Sequence, residues 1–277
     1  MRKLKKMEKM EKVFMRKKIL MSCVFLCLAN LLLVGAASGN TAQLAADQAQ
    51  LSADVMLFNT VNGDFTASGN VIIITEGLTA NAPRGSGNVQ NREVHFFDGI
   101  EVSGDWRGDW LDLSAEQVSL FFAQTPTYIA EGMVNGVLGE IFIDVDKFYM
   151  KGEEFAALNV RRLEDREVQI ALSANRVDGV VRDGAFANFV AQGRVFIEGQ
   201  GRPGGGGPVD IRGDRAVYSV ERGSVVVSGN VRAVQEGRVL TAGSVVYFPD
   251  NNRIDAYGDL HEGRVRITID IPQREQE

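Results

Sequence analysis

A nine-residue pattern recurs along this chain and restricts it to strands before any other feature is weighed. In Val225-Val226-Val227-Ser228-Gly229-Asn230-Val231-Arg232-Ala233 every second residue is apolar or small, and those between are largely polar. That alternation makes a strand with one apolar face. The same order of apolar, x, small apolar, x, Gly, x, apolar returns at Phe65-x-Ala67-x-Gly69-x-Val71, Tyr128-x-Ala130-x-Gly132-x-Val134, Phe189-x-Ala191-x-Gly193-x-Val195 and Ile254-x-Ala256-x-Gly258-x-Leu260. A second signature, Leu/Ile-x-Ala/Gly, precedes each copy, at Leu51-Ser52-Ala53, Leu113-Ser114-Ala115, Leu172-Ser173-Ala174, Ile211-Arg212-Gly213 and Leu240-Thr241-Ala242. Each unit is therefore a pair of strands.

The small residue that closes the first signature lies 16 to 19 residues before the glycine of the second. A weaker unit with the same spacing joins Leu78-Thr79-Ala80 to Gly99, and a further one, lacking its glycine, is expected around residues 141–160. A period of roughly 30 residues marks stacked supersecondary units. Turn pairs such as Asn62-Gly63, Asp98-Gly99 and Asp183-Gly184 fit tight hairpins. Helical periodicity is confined to residues 43–50.

The chain starts with a basic segment, nine Lys/Arg and two Glu in residues 1–18, followed by 16 mostly apolar residues at 19–34 and then Gly35-Ala36-Ala37-Ser38. This order is that of a secretory signal, and the apolar run is short for a membrane span. Residues 1–38 are thus expected to be an export signal cleaved near Ala36 to Ser38, with an uncleaved anchor as the competing reading; Met15 would give a more ordinary start. Residues 39–49 form a leader, 50–271 the repeats, with a glycine-rich linker at 199–208, and 272–277 a polar tail.

Both cysteines, Cys23 and Cys27, fall in the export segment, so the repeats carry no disulfide, thiol nucleophile or cysteine metal site. Without residues 1–38 the chain keeps 21 of its 30 Lys/Arg and 34 of its 36 Asp/Glu, a formal charge of −13. Such a surface does not gather on nucleic acid or an anionic bilayer. Two histidines, His95 and His261, stand in different units, and no nucleophile elbow, zinc motif or dinucleotide fingerprint is present. Asp144 and Asp146 share one strand face, a pattern that could suit a hard cation or acid/base chemistry, but with no third ligand or histidine nearby in sequence a solvated face is the favoured reading. The expectation is a protein without cofactor, metal or catalytic residues. The segment Asp105-Trp106-Arg107-Gly108-Asp109-Trp110 holds both tryptophans, as a ligand lip or folded back on the core.

Residues 211–218, 225–234 and 240–247 together resemble the OstA-like repeat of the lipopolysaccharide-transport family that includes LptA, LptC and the periplasmic part of LptD. The likeness is best over 210–260, fair over 50–135 and weak over 140–165; the chain departs in its length, its glycine-rich insertion and its acidity. The resemblance implies an all-β fold, an open antiparallel β-jellyroll of two sheets in a V. It also implies a periplasmic protein that binds lipopolysaccharide acyl chains between the sheets. Its partners would then be other lipopolysaccharide-transport proteins, or copies of itself, joined end to end.

Pairing of aromatic or β-branched residues with Ala and Gly on the inner face leaves room along a trough. The expected apolar lining is Phe65, Ala67, Val71, Ile73, Tyr128, Val134, Phe189, Val195, Ile197, Val225, Val227, Val231, Ile254 and Leu260, residues that would serve equally as ordinary core. An acyl chain there gains about 0.8 kcal/mol per buried methylene. Terminal strands offer unpaired edges for strand addition. Two other readings are a β-solenoid or filament-forming envelope protein without lipid, and a carbohydrate-active β-helix enzyme with clustered carboxylates. Uneven glycine spacings of 63, 61, 36 and 29 residues speak against a regular coil.

Overall fold

Strict alternation in eleven- to fifteen-residue stretches gives long strands, and a bend in the middle of each gives the molecule its form. A computed structural model describes residues 49–75, 77–106, 108–123, 125–200, 207–258 and 264–269. The export segment, the helical stretch at 43–48, glycines 204–206, Leu260, His261 and the tail lie outside the described residues.

Sixteen strands form one sheet: β1 (Gln50–Ser52), β2 (Val55–Phe58), β3 (Asp64–Ile74), β4 (Leu78–Asn88), β5 (Glu93–Trp106), β6 (Asp109–Phe121), β7 (Thr127–Leu138), β8 (Ile141–Lys151), β9 (Glu154–Asp165), β10 (Ile170–Arg182), β11 (Ala185–Gly199), β12 (Val209–Ser219), β13 (Ser224–Gln235), β14 (Arg238–Phe248), β15 (Arg253–Tyr257) and β16 (Arg266–Ile269). From β3 to β15 each strand pairs with the next, and all pairs are antiparallel. Parallel rungs of the kind that build a solenoid or β-helix are absent among the described residues. At one edge β1 and β2 are two pieces of a single line along β3, split at Ala53-Asp54. At the other, β15 and β16 pair with the two ends of β14.

Four of the five signature glycines are where the strands bend, the fifth, Gly258, lying past the end of β15. Gly229 and Asn230 both have positive φ, 79° and 50°, a conformation that glycine adopts without strain and asparagine tolerates. The register of β13 against β12 and β14 breaks there. The same doublet, one glycine and one other residue at positive φ, recurs as Gly69-Asn70, Asp98-Gly99, Gly132-Met133 and Gly193-Arg194. In β9, where no glycine marks the unit, Asn159 alone holds the bend at φ 49°. These are β-bulges, which re-aim a strand and deepen its twist.

The bulges differ between neighbours in a way that keeps one face apolar throughout. β3 has two residues unpaired with β4 at the bend, Gly69 and Asn70, so its buried set Phe65, Ala67, Val71 and Ile73 keeps an even phase across it. β12 carries one fewer, and its buried residues step from Val209 and Ile211 to Ala216 and Tyr218. Residues of both strand halves on this face are buried, so the sheet must fold over on itself along the bulge line. The two sheets expected from the sequence are the two halves of this one folded sheet, and the fold is an all-β open jellyroll.

The folded sheet has two rims of hairpin turns, and contacts join them. Trp106, at the end of β5, stands edge-on to Tyr128, at the start of β7, with ring centroids 4.9 Å apart. A side chain at Gly184 in the β10–β11 turn would collide with the Asp109 carboxylate at the start of β6. Further along, Asn252 after β14 donates from Nδ2 to the Gly207 carbonyl before β12 at 2.8 Å, while the buried Tyr247 hydroxyl donates to Asn252 Oδ1 at 3.2 Å.

Inside the C-terminal half the core is filled by rings. Phe148, Phe155, Phe186, Phe189 and Tyr218 form a continuous series with successive centroids 6.0, 5.4, 5.7 and 5.2 Å apart. Aromatic pairs at these separations add to what burial alone supplies. The cavity beside Phe189 and Tyr218 measures about 10 Å³, at the lower limit for a single water.

Candidate lipid-chain cavity

Before that aromatic series begins, the interior is open. A cavity of about 120 Å³ lies between the halves of β3 to β8. Its outer wall is made of partly exposed side chains, Thr75, Leu78, Trp106, Leu111, Leu120 and Phe122. Its floor is made of buried ones, Leu113, Val118, Ala130, Leu138, Ile143 and Met150. The walls hold hardly any polar group besides Thr75, whose Oγ1 donates back to the Leu78 carbonyl at 3.4 Å. A void of this character excludes water and accepts hydrocarbon.

The strands place these residues by two simple means. Leu78 and Leu113 are the leading residues of first signatures, and alternation from them brings Ala80 and Ala115 to the same face. Alanines at 80 and 130 leave space where a larger side chain would fill the gap between the halves.

Of the lining expected from sequence, Ile73 and Tyr128 border this cavity. Phe65, Ala67, Val71 and Val134 lie on the same face as buried core, at 6% exposure or less. Phe189, Val195, Ile197, Val225, Val227 and Val231 are buried at 2% or less within the C-terminal half, where the rings and valines meet one another. Ile254 is partly buried against the core on β15, and Leu260 lies outside the described residues. Sequence reasoning missed Leu78, Leu113 and Met150, although the first two open signatures already recognised.

The tryptophan segment divides. Trp106 folds back onto the core and closes part of the cavity, whereas Trp110 is 63% exposed. Asp144 and Asp146 do not face an empty site. Arg161 donates from Nε to Asp144 at 2.7 Å, from Nη1 to Asp146, and from Nη2 to the Val145 carbonyl at 2.9 Å. Hydrogen bonds from Arg161 and Asn159 hold the Asp146 carboxyl below its ordinary range. His95 shares a hydrogen bond of 2.8 Å with Ser119 Oγ and packs edge-on to Phe121. Among the described residues no group of three His, Cys, Asp or Glu side chains is placed to hold a metal ion, and no helix is long and apolar enough to cross a membrane.

Among the described residues charge lies mostly on the outer face, with Asp165 buried at 3% exposure beside Phe186, Phe189 and Tyr218. Arg212, Arg215 and Arg232 are exposed on the outer face, with Arg212 over the Phe196 ring at 5.2 Å and opposite Arg232 in the register. None of them borders the cavity.

No protein-family model matches the chain, and no curated protein does. Among solved structures the chain is similar to LptH of Pseudomonas aeruginosa, described as the LptA-homologous periplasmic component of the conserved lipopolysaccharide transport device. That similarity has 10% identity and a TM-score of 0.24, and it covers 81% of this chain and 96% of that one.

Proposed function

We propose that this protein binds the acyl chains of lipopolysaccharide in the cavity between its sheet halves and carries them through the periplasm toward the outer membrane, with no covalent step. The observation that carries this reading is the apolar void of about 120 Å³ bounded by Leu78, Leu113, Trp106 and Met150. Each methylene moved there from water gains about 0.8 kcal/mol, while movement between similar apolar sites costs little. The export-type start, the OstA-like units and the acidic surface agree with a periplasmic lipid carrier rather than with a nucleic-acid or bilayer-surface protein.

Edge strand β2 supports the expected mode of partner binding. Val55, Met56, Leu57 and Phe58 are exposed by 39 to 68%, and one side of their backbone pairs with no strand among the described residues. Addition of a strand there, from another transport protein or from a second copy, would cover apolar surface and complete the ladder.

The test is photo-crosslinking in cells from single positions. A lipid carrier gives lipopolysaccharide adducts from Leu120 and Tyr128 at the cavity and none from Val220, which lies exposed in a turn. A stable, exported protein that gives no adduct at either cavity position refutes the proposal.

A further inference from the structure

We infer that the cavity is a blind pocket that takes the end of one aliphatic chain, and that Phe148 sets how far the chain enters. This inference rests on the lipid-chain reading above but differs from it in kind, because a chain could also lie in a trough open along the whole fold.

The geometry that favours a blind pocket is the position of Phe148. Its ring borders the cavity floor on one side, beside Ile143 and Met150, and stacks on Phe155 at 6.0 Å on the other. From Phe155 the series of rings continues to Tyr218 without a break. Among the described residues none beyond β8 borders the cavity. The partly exposed Thr75 and Leu78, where β3 turns into β4, stand at the other end of the strand order from Phe148 and define the entrance.

Volume fixes the amount of chain. An apolar cavity of about 150 Å³ takes a benzene ring, so this one holds on the order of six carbons, with a few more in contact with the entrance. A lipid with several long tails would leave most of its hydrocarbon outside. The ligand class that matches is one tail end, whether from a many-chained glycolipid presenting one chain at a time or from a single-chain amphiphile.

The experiment titrates the full purified protein with n-alkyl maltosides of increasing chain length, following heat and the fluorescence of its two tryptophans, of which Trp106 borders the cavity. Affinity is expected to rise roughly fourfold for each added methylene up to about eight carbons and then to level off. In Phe148→Ala the level stretch should begin at longer chains. In Ala130→Leu, which fills the floor from the other strand, it should begin at shorter ones. Affinity that keeps rising through about fourteen carbons in the unaltered protein overturns the blind pocket and leaves the lipid-carrier reading intact. A break point unmoved by both substitutions, or by Ala130→Leu alone if Phe148→Ala does not fold, overturns the placement of its end. Binding of no maltoside at any length sinks both readings.

Discussion

The side-chain amide of Asn230 donates to the Asp214 carboxylate at 2.8 Å across the bend shared by β13 and β12. Asn70 makes the same bond to Asp54 at 2.8 Å, sixteen residues apart in both cases. In each pair the acidic residue follows a first signature and the asparagine follows a signature glycine. Asn159 with Asp146 and Arg194 with Asn175 are variants of the same clasp. The two sequence signatures are thus physically joined, the residue after one gripping the residue after the other.

Asn230 has two tasks that substitution can separate, its φ of 50° and its bond to Asp214. Asn230→Gly keeps the backbone and loses an exposed hydrogen bond, so stability should fall by no more than about 1 kcal/mol. Asn230→Val adds a β-branched side chain at positive φ and should lose about 2 kcal/mol. Urea unfolding of the two variants measures the difference.

Glycines at the bends differ in what surrounds them. A Cβ at Gly99 meets nothing within 4 Å, whereas one at Gly132 would collide with Glu116. Gly99→Ala should therefore show the positive-φ cost alone, about 1 kcal/mol, and Gly132→Ala clearly more. Equal midpoints in urea would contradict the packing described at the second bend.

Asn252 ties the β14 turn to the loop before β12 through Gly207 and also receives the Tyr247 hydroxyl. Asn252→Ala leaves a buried hydroxyl with one fewer partner and is expected to cost about 2 to 3 kcal/mol. Amide exchange should quicken at Val209 and neighbouring residues of β12 before it does in β5 or β6.

Burial, with negative charge from Asp165, Asp250 and Glu167, pushes the Tyr218 hydroxyl up to about 12 from its ordinary 10.0. The folded protein thus holds this proton more tightly than the unfolded chain. The resulting stability is complete below pH 10.0 and is lost as pH rises through about 12. Denaturation at mildly and strongly alkaline pH should show a loss in the unaltered protein that is reduced in Tyr218→Phe.

Alternation and the recurrent glycines made the strands and their apolar face legible before any coordinates, whereas the open β-jellyroll followed only from the resemblance to the OstA-like repeat. Even the unit without a glycine was readable from its spacing, and Asn159 supplies the left-handed turn in its place. The cavity was harder to place. Val71 and Ile73 are neighbours on one strand face with the same pattern, yet only Ile73 borders the void, because the twist of the folded sheet decides which half lies opposite. Phe189 and Phe65 look alike in sequence too, and the ring series around Phe189 arises from side chains on four different strands. Periodicity reports which side of a strand is inward; it carries no information on whether the space inward is already filled.

The unequal bulges of adjacent strands limit how such a chain can change in length. A single added strand would reverse the chain's direction and set the wrong bulge against its neighbour, turning apolar residues outward beyond the bend. A complete hairpin, one strand of each type, restores both direction and phase. Lengthening or shortening is therefore tolerated in steps of about 30 residues, with the cavity, the ring series and both terminal strands carried along unchanged.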